Sequence, residues 1–389
     1  MIITAALAQH IVDNIVPLVQ QNINIMDSSG LIIGSGQQNR LNTYHQGAIK
    51  AITSGQMVEI FPEELERFPG AQPGLNWPIV LGKQVVGVVG ISGHPDSVRN
   101  TAKLVKMVTE LILERENLIE EFKANLQLRA QFIQLLLNGN YQENAAQLEK
   151  TAKLLSFNLN APRLVAVVHV GAILQAAVSQ YGAYDLVASR TRETLTQLLV
   201  SSPLIEHTDL FIFMEDELVI LKHFPLGTAT AEFRQWGLAV LQLLGHEQEH
   251  KALCLGLGSL TSLPAELRQS YREALFSQVN HTGSNTIVAS IYDFDTLVFF
   301  LVKEPGALHT CLALQRLKET IHKLDFKYDM KNTVNTLLDT NLNVSSTAKA
   351  LFIHRNTLVF RLGKLKELTG LCPDQSLNHA MLCRIVFSG

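Results

Sequence analysis

Hydrophobic and polar positions change period repeatedly along this chain. Near the start, Leu7, Ile11, Ile15 and Leu18 recur at helical spacing, with His10 and Asp13 breaking the apolar run. That spacing predicts an amphipathic helix. Period two follows: residues 24–26 predict a strand, Asp27-Ser-Ser-Gly30 a turn and 31–35 a second strand. A helix is expected over 44–53, capped at Asn42 or Thr43. Residues 77–93 read as a hairpin turning at Gly82-Lys83, and its second strand, 85–91, is apolar enough for burial on both faces. The result is a small sheet with helices on one side.

Residues 98–137 then predict one long helix. Leu104, Val108, Leu111, Leu118 and Phe122 form an apolar seam, broken by Arg115, while Glu110, Glu114, Glu116, Glu120 and Glu121 keep the other faces wet. Such a seam suits a short, imperfect coiled coil between two copies, or a rigid connector. Asn138-Gly-Asn140 marks a boundary. Residues 160–294 alternate again, as strand (164–170), helix (185–200), hairpin (210–214 and 218–224), helix (231–244), strand (253–257) and helix (265–278). That order fits a split βαβ, ferredoxin-like core. Only helices are predicted from Asp295 onward, the last (377–386) packed on the helical pair before it. The expected domains are 1–137, 138–294 and 295–389.

The helical pair, 343–370, carries the densest chemistry. Ser345 is placed to cap the first helix, and Ala348 and Leu351 supply its buried side. The second helix is expected to start near His354 and stop at Gly370, a residue at ease in the left-handed conformation that closes a helix. Leu358, Leu362, Leu365 and Thr369 form its buried stripe. The opposite face presents Asn356, Phe360, Gly363 and Lys364, flanked by Arg355 and Thr357. Five cations (Lys349, Arg355, Arg361, Lys364, Lys366) face one acid, Glu367, in a chain whose net charge is -3. A local cationic excess of this kind is a footprint for phosphates. The geometry suits a helix-turn-helix whose second helix enters the major groove, though a plain helical hairpin with a solvated face has the same pattern. In the first case Arg355, Asn356, Thr357 and Lys364 lie near bases and Arg361 and Lys366 near phosphates.

Composition narrows the class. With 389 residues, 47% apolar and 17% charged, the chain is a globular, multidomain protein and not a disordered one. No apolar run reaches the roughly 18 residues needed to cross a bilayer, and the N-terminus lacks the basic segment of a signal peptide. Cys254, Cys311, Cys372 and Cys383 have no paired or metal-type spacing, so reduced thiols in a cytoplasm are expected.

Three further patterns carry candidate chemistry. His246-Glu-Gln-Glu-His250 satisfies a zinc-binding spacing, but Gly245 precedes it and a strand follows, so a charged loop is the expectation. The turn at Met214-Glu-Asp-Glu217 lacks the paired glycines of a nucleotide cyclase, and the first central strand ends in His169-Val-Gly171 without an aspartate. Catalysis, metal and cofactor are therefore not expected. Arg40, His45 and Lys50 cluster beside a helix start, where an organic acid would find fixed donors; they serve equally well as surface charges.

Three segments resemble the sugar-diacid (carbohydrate diacid) regulator family. The run ALFIHRNTLVFRLGKLKELTGL (350–371) is similar to the C-terminal helix-turn-helix shared with purine-catabolism regulators, with Phe360 where tyrosine is usual and Leu365 where isoleucine is usual. INIMDSSGLIIGSGQQNRLNTYHQGA (23–48) resembles the family's sugar-diacid recognition domain through Arg40 and His45-x-Gly47-Ala48. GAQPGLNWPIVLGKQVVGVVGISGHP (70–95) resembles its second block at Gly74, Asn76, Pro78, Gly87, Gly90 and Gly93; the departures are Asn42 in the first block and Trp77 and His94 in the second.

The resemblance implies an α+β multidomain chain. Its parts would be a PAS/GAF-like sensor sheet, a degenerate diguanylate-cyclase-like central domain and an all-α helix-turn-helix. It also implies a cytoplasmic transcription activator of sugar-diacid or glycerate catabolism genes. Its partners would be double-stranded DNA, a second copy of itself, RNA polymerase and an effector of glucarate, galactarate or glycerate type. Arg40, His45, Gly74, Asn76, Gly90 and Gly93 are the expected ligand residues. The competing readings are a signalling protein with a cyclase-type central domain and an interaction scaffold.

Overall fold

The computed structural model describes residues 3–182, 184–245, 253–279 and 287–387, and the chain divides into two compact units, Met1–Leu126 and Gln127–Gly389. In the first, α1 (Ala5–Val19) is capped by Thr4, whose hydroxyl accepts from the Leu7 N–H. Its buried face is Ala8, Ile11, Val12 and Ile15. Leu18, expected on that face, is 82% exposed, because the contact stripe is rotated toward Ala8 and Val12 and the helix ends at Gln20.

Strands β1 (Ile23–Asp27) and β2 (Ile32–Ser35) are joined by the predicted turn, in which Asp27 Oδ1 accepts from the Ser29 and Leu31 N–H groups. Helix α2 (Gln46–Ser54), β3 (Val58–Ile60), β4 (Gly74–Leu81) and β5 (Gln84–Ser92) follow. All neighbours pair antiparallel in the order β2-β1-β5-β4-β3. Period-two alternation sends Ile23, Ile25, Val89 and Ile91 to the face packed with α1 residues and Val98, Ala102 and Val105 of α3 (Pro95–Asn138). Met26 and Val88 point the other way, onto Ala48 and Ala51 of α2. Helices thus cover both faces, not one, which is why β5 is apolar on both sides.

Helix α3 buries Val98, Ala102, Val105, Thr109 and Leu113. Its heptad seam lies elsewhere on the cylinder: Leu104, Val108, Leu111, Leu118 and Phe122 are all exposed.

In the second unit the last turns of α3 (Phe132, Ile133, Leu136, Leu137) pack with α4 (Tyr141–Leu154) and one face of a second sheet. The chain runs through β6 (Arg163–His169), α5 (Gly171–Tyr181), α6 (Tyr184–Ser201), β7 (Leu210–Met214), β8 (Glu217–His223), α7 (Thr230–Gly245), β9 (Cys254–Leu257), α8 (Leu267–Val279) and β10 (Ile287–Ser290). The order is β10-β9-β6-β8-β7; β7, β8, β6 and β9 pair antiparallel, and β10 is added parallel to β9. The antiparallel four are what the predicted split βαβ produces; α4, α5 and β10 were not anticipated. Val165 and Val167 face α3, α4 and α8, whereas Leu164, Ala166 and Val168 face α5, α6 and α7. Gly256 and Gly258 let α8 lie directly on the chain at β9, since a Cβ there would fall 2.0 Å and 1.9 Å from the Ala274 and Ser270 carbonyl oxygens. They serve packing. His246-Glu-Gln-Glu-His250 lies outside the described residues.

Helices α9 (Phe294–Lys303), α10 (Leu312–Tyr328), α11 (Met330–Asp339), α12 (Val344–Ala350), α13 (Arg355–Thr369) and α14 (Leu377–Phe387) complete the chain. Helix α14 packs chiefly on α9 and α11 and shares with Leu365 of α13 the core beneath the predicted helical pair. Among the described residues no helix is long and apolar enough to cross a membrane.

Candidate nucleic-acid interface and ligand pocket

Two short helices and their turn form the cationic end of the second unit. Asn343, not Ser345, caps α12: its side chain accepts from the Ser346 N–H at 2.9 Å. The helix starts there because Thr347 then faces inward, its hydroxyl 2.6 Å from that of Thr340. Helix α13 is capped by His354, whose Nδ1 accepts from the Asn356 N–H at 3.2 Å. In that neutral tautomer Nε2–H points outward as a donor. At the far end Gly370 takes φ +80°. Leu358 and Leu362 pack with Ala348 and Leu337, and Leu365 enters the adjoining core.

The six residues expected at DNA fall into three groups. Arg355, Asn356 and Thr357 are exposed together on the first turn of α13, with Lys366 exposed on its last. Lys364 is drawn to Glu367, with Nζ 2.6 Å from its carboxylate and 5.9 Å from the Phe360 ring centroid. Arg361 turns away from the exposed face: its Nη1 donates to Thr333 on α11 at 2.8 Å and lies 3.6 Å from Asp329. Lys349 and His354 join the exposed set; His354 was not among the predicted contacts, because histidine is an uncommon cap.

In the first unit His45 caps α2, its Nδ1 accepting from the Ala48 N–H at 3.3 Å. Neither Asn42 nor Thr43 is the cap. His45 is 6% exposed. Burial, assisted by the Arg40 charge, lowers its pKa to about 4, so the ring is neutral and Nε2–H is its donor. Gly47 follows in the first turn, and a Cβ there would stand 2.7 Å from Asn76 Nδ2 and 3.1 Å from His45 Cε1. Asn76, buried on β4, pairs with Gly90 on β5, whose missing Cβ would lie 3.2 Å from Asn76 Oδ1. Arg40, half-buried and bonded to the Gly70 carbonyl at 3.4 Å, supplies the cation.

The structure therefore brings Arg40, His45, Asn76 and Gly90 together. Gly74 and Gly93 serve the backbone: a Cβ at Gly74 would meet the Ile91 carbonyl oxygen at 2.2 Å, and Gly93, at φ +143°, would meet Val98 of α3 at 2.6 Å. Lys50 is exposed over the Phe68 ring, and His94 lies against Phe61 and Asp96. A guanidinium, a neutral imidazole N–H and a carboxamide offer a charge partner plus neutral donors and an acceptor, the mixture a hydroxy-acid requires.

At the central hairpin turn, Glu217 is held by His169 at 3.0 Å, the Asp216 carbonyl accepts from Val170 N–H at 2.8 Å, and Arg192 donates to the Glu215 carbonyl at 2.9 Å. These groups brace the turn against β6, α5 and α6. Among the described residues, no three His, Cys, Asp or Glu side chains gather where they could hold a metal ion.

Three family models match this chain in succession, and the first and last contain the segments whose resemblance is described above. The family model for sugar diacid recognition matches residues 3–136, that for a GGDEF-like domain 138–277, and that for the PucR C-terminal helix-turn-helix domain 330–382. The carbohydrate diacid regulator of Escherichia coli (strain K12) is 30% identical over 375 residues, 94% of this chain and 92% of that protein. The purine catabolism regulatory protein of Bacillus subtilis (strain 168) is 28% identical over 127 residues, 32% of this chain and 23% of that one. Among solved structures, a regulator of polyketide synthase expression from Bifidobacterium adolescentis aligns with TM-score 0.44 and 14% identity, covering 67% of this chain and 91% of that one.

Proposed function

The chain belongs to the carbohydrate diacid regulator family and is a DNA-binding transcription regulator; we propose that it activates genes of sugar-diacid or glycerate catabolism when its N-terminal unit binds a small hydroxy-acid. The observation that carries this reading is the convergence of Arg40, His45 and Asn76 in a chain whose α13 exposes Arg355, Asn356 and Thr357. Arg40 pairs the carboxylate, while His45 Nε2–H and the Asn76 amide take the hydroxyls. Residues 1–137 form the sensor, 138–294 a cyclase-like regulatory domain without catalysis, and 295–389 the DNA-binding domain. The sheet order β2-β1-β5-β4-β3 supports a PAS/GAF-like sensor.

Two copies act together in this reading. Leu104, Val108, Leu111, Leu118 and Phe122 keep a four-three heptad alternation through Arg115 and are exposed on α3, the pattern of a two-stranded seam. A cytoplasmic location and contact with RNA polymerase complete it.

Two measurements on the full-length chain test the proposal. Gel-shift titration against salt should show DNA affinity falling steeply with ionic strength as counterion release loses its drive. A thermal-shift panel of glucarate, galactarate, glycerate and simple dicarboxylates should raise Tm with at least one hydroxy-acid, since a ligand of the folded state stabilises it by mass action. No shift with any of them would remove the effector assignment.

A further inference from the structure

The turn between α12 and α13 ends the first helix in an unusual way. The Phe352 N–H donates to the Lys349 carbonyl at 3.1 Å and the Ile353 N–H to the Ala348 carbonyl at 3.0 Å. These are the paired bonds of a Schellman motif, which places Phe352 at the left-handed position after the helix. Its φ is +55°. Glycine normally holds that position because a Cβ is strained there, and for a bulky side chain such a φ is an outlier. Ile353 makes the apolar contact that accompanies the motif, packing among Ala348, Leu358 and Leu362. Phe352 makes none: it is 96% exposed, more than any other large apolar side chain described.

Strain and exposure both act against this residue in the free protein. The turn itself would be better served by glycine, and the ring gains nothing from burial. Its position supplies a role: two residues further on the chain enters α13, and exposed Lys349 and Arg355 stand three residues to either side. Arg355 belongs to the base-reading first turn of α13, and Lys349, exposed on α12, is available to a phosphate. An aromatic ring between them meets the apolar parts of a duplex, the thymine methyl groups and the deoxyribose.

We propose that Phe352 is a DNA-contacting residue of this helix-turn-helix, pressing its ring against thymine methyl or deoxyribose beside the bases that α13 reads. The proposal rests on the DNA-binding reading above. It adds an apolar, salt-insensitive element to an otherwise cationic interface.

The test uses the full-length wild-type chain, Phe352→Gly and Phe352→Tyr on a duplex recovered by the wild type from a randomised pool. Phe352→Gly is the informative change because glycine suits the left-handed turn, so Tm should stay level or rise. DNA affinity should nevertheless fall roughly ten-fold, with the same slope against log salt, since an apolar contact releases no counterion. Phe352→Tyr should keep most of the affinity. Replacing dT by dU in the duplex separates the two surfaces: a methyl contact makes dU weaken the wild type but not Phe352→Gly, whereas a deoxyribose contact leaves both indifferent to dU. Wild-type affinity in Phe352→Gly would overturn the proposal, as would a changed oligomeric state in that variant, which would assign the ring to a protein contact. If the wild type recovers no duplex at all, the DNA-binding reading fails first.

Discussion

Arg361 Nη1 lies 2.8 Å from Thr333 Oγ1, and Thr333 in turn donates its hydroxyl to the Asp329 carbonyl at 2.7 Å. A cation on the second helix of the motif is therefore turned inward to tie α13 to the start of α11, with Asp329 nearby as its counter-charge. The bond is charge-assisted and mostly shielded, and Thr333 is fully buried. Arg361→Ala should lower stability by about 1–2 kcal/mol, visible as a reduced urea midpoint by circular dichroism. Unchanged stability with weakened DNA binding would restore Arg361 to the phosphate contacts expected from sequence.

Asn356 and Lys366 should separate specificity from affinity. Asn356 sits on the first turn of α13, where side chains of a recognition helix meet base edges. Asn356→Ala should relax sequence preference, costing selected duplexes roughly 1–3 kcal/mol while sparing unselected DNA. Lys366, exposed on the last turn, should act on all sequences alike, and Lys366→Ala should reduce the salt slope by about one unit. Equal loss on every sequence in the Asn356 variant would sink its base-reading role.

The contrast between Arg361 and Asn356 marks what periodicity makes legible. Leu358, Leu362 and Leu365 announced α13, and Gly370 its end, because a buried stripe and a left-handed cap are both local. Which exposed-looking cation finds a partner is not local. Arg361 is claimed by a hydroxyl 28 residues back. The same holds in the first unit, where Arg40 and His45 are near in sequence but Asn76 arrives from β4, and where Gly74 answers to the Ile91 carbonyl and Gly93 to a positive φ beside Val98. Elements with a weak stripe were missed: α4 fully buries only Leu148 and Ala152, α5 is apolar and small-residue-rich along most of its length, and β10 has four residues at the sheet edge. Caps slipped for a related reason, since Asn343, His45 and Thr43 all have side chains able to accept a hydrogen bond, and only packing selects among them.

His45 should make the first unit acid-sensitive. Its folded pKa of about 4 lies below the ordinary 6.5, from burial first and the Arg40 charge second. Between those values the unfolded chain binds the proton that the folded chain refuses, so stability is lost as pH falls from 6.5 toward 4. By pH 5 the loss from this residue is roughly 2 kcal/mol. Trp77, on β4 beside Asn76, reports it by fluorescence in a Trp236→Phe background. The midpoint for urea should drop between pH 7 and pH 5 in that background and drop much less once His45→Gln is added. Parallel pH profiles would show that His45 is not the group responsible.

Glu273 joins the central sheet to the helices that lead toward α13. The side chain is fully buried on α8, and among the described residues no cation stands at hydrogen-bond distance from it. One carboxylate oxygen accepts from the Ser259 N–H at 3.0 Å, and the other from the Leu312 N–H, at the start of α10, also at 3.0 Å. Burial pushes this carboxyl above the usual carboxylate range despite those donors. Glu273→Gln keeps the shape of the side chain but replaces one acceptor oxygen with a donor, so geometry decides the outcome. Whichever way the amide is turned, its NH2 faces one backbone N–H, so the substitution should cost on the order of 1–3 kcal/mol. Glu273→Ala, which strands both N–H groups, should cost more. Hydrogen exchange at the Ser259 and Leu312 amides is the direct readout: one should accelerate in the glutamine variant and both in the alanine variant. Protection unchanged at both sites in Glu273→Ala would mean that the joint is held by its other contacts, among them the bonds of Arg316 to the Leu260 carbonyl and the Tyr292 hydroxyl.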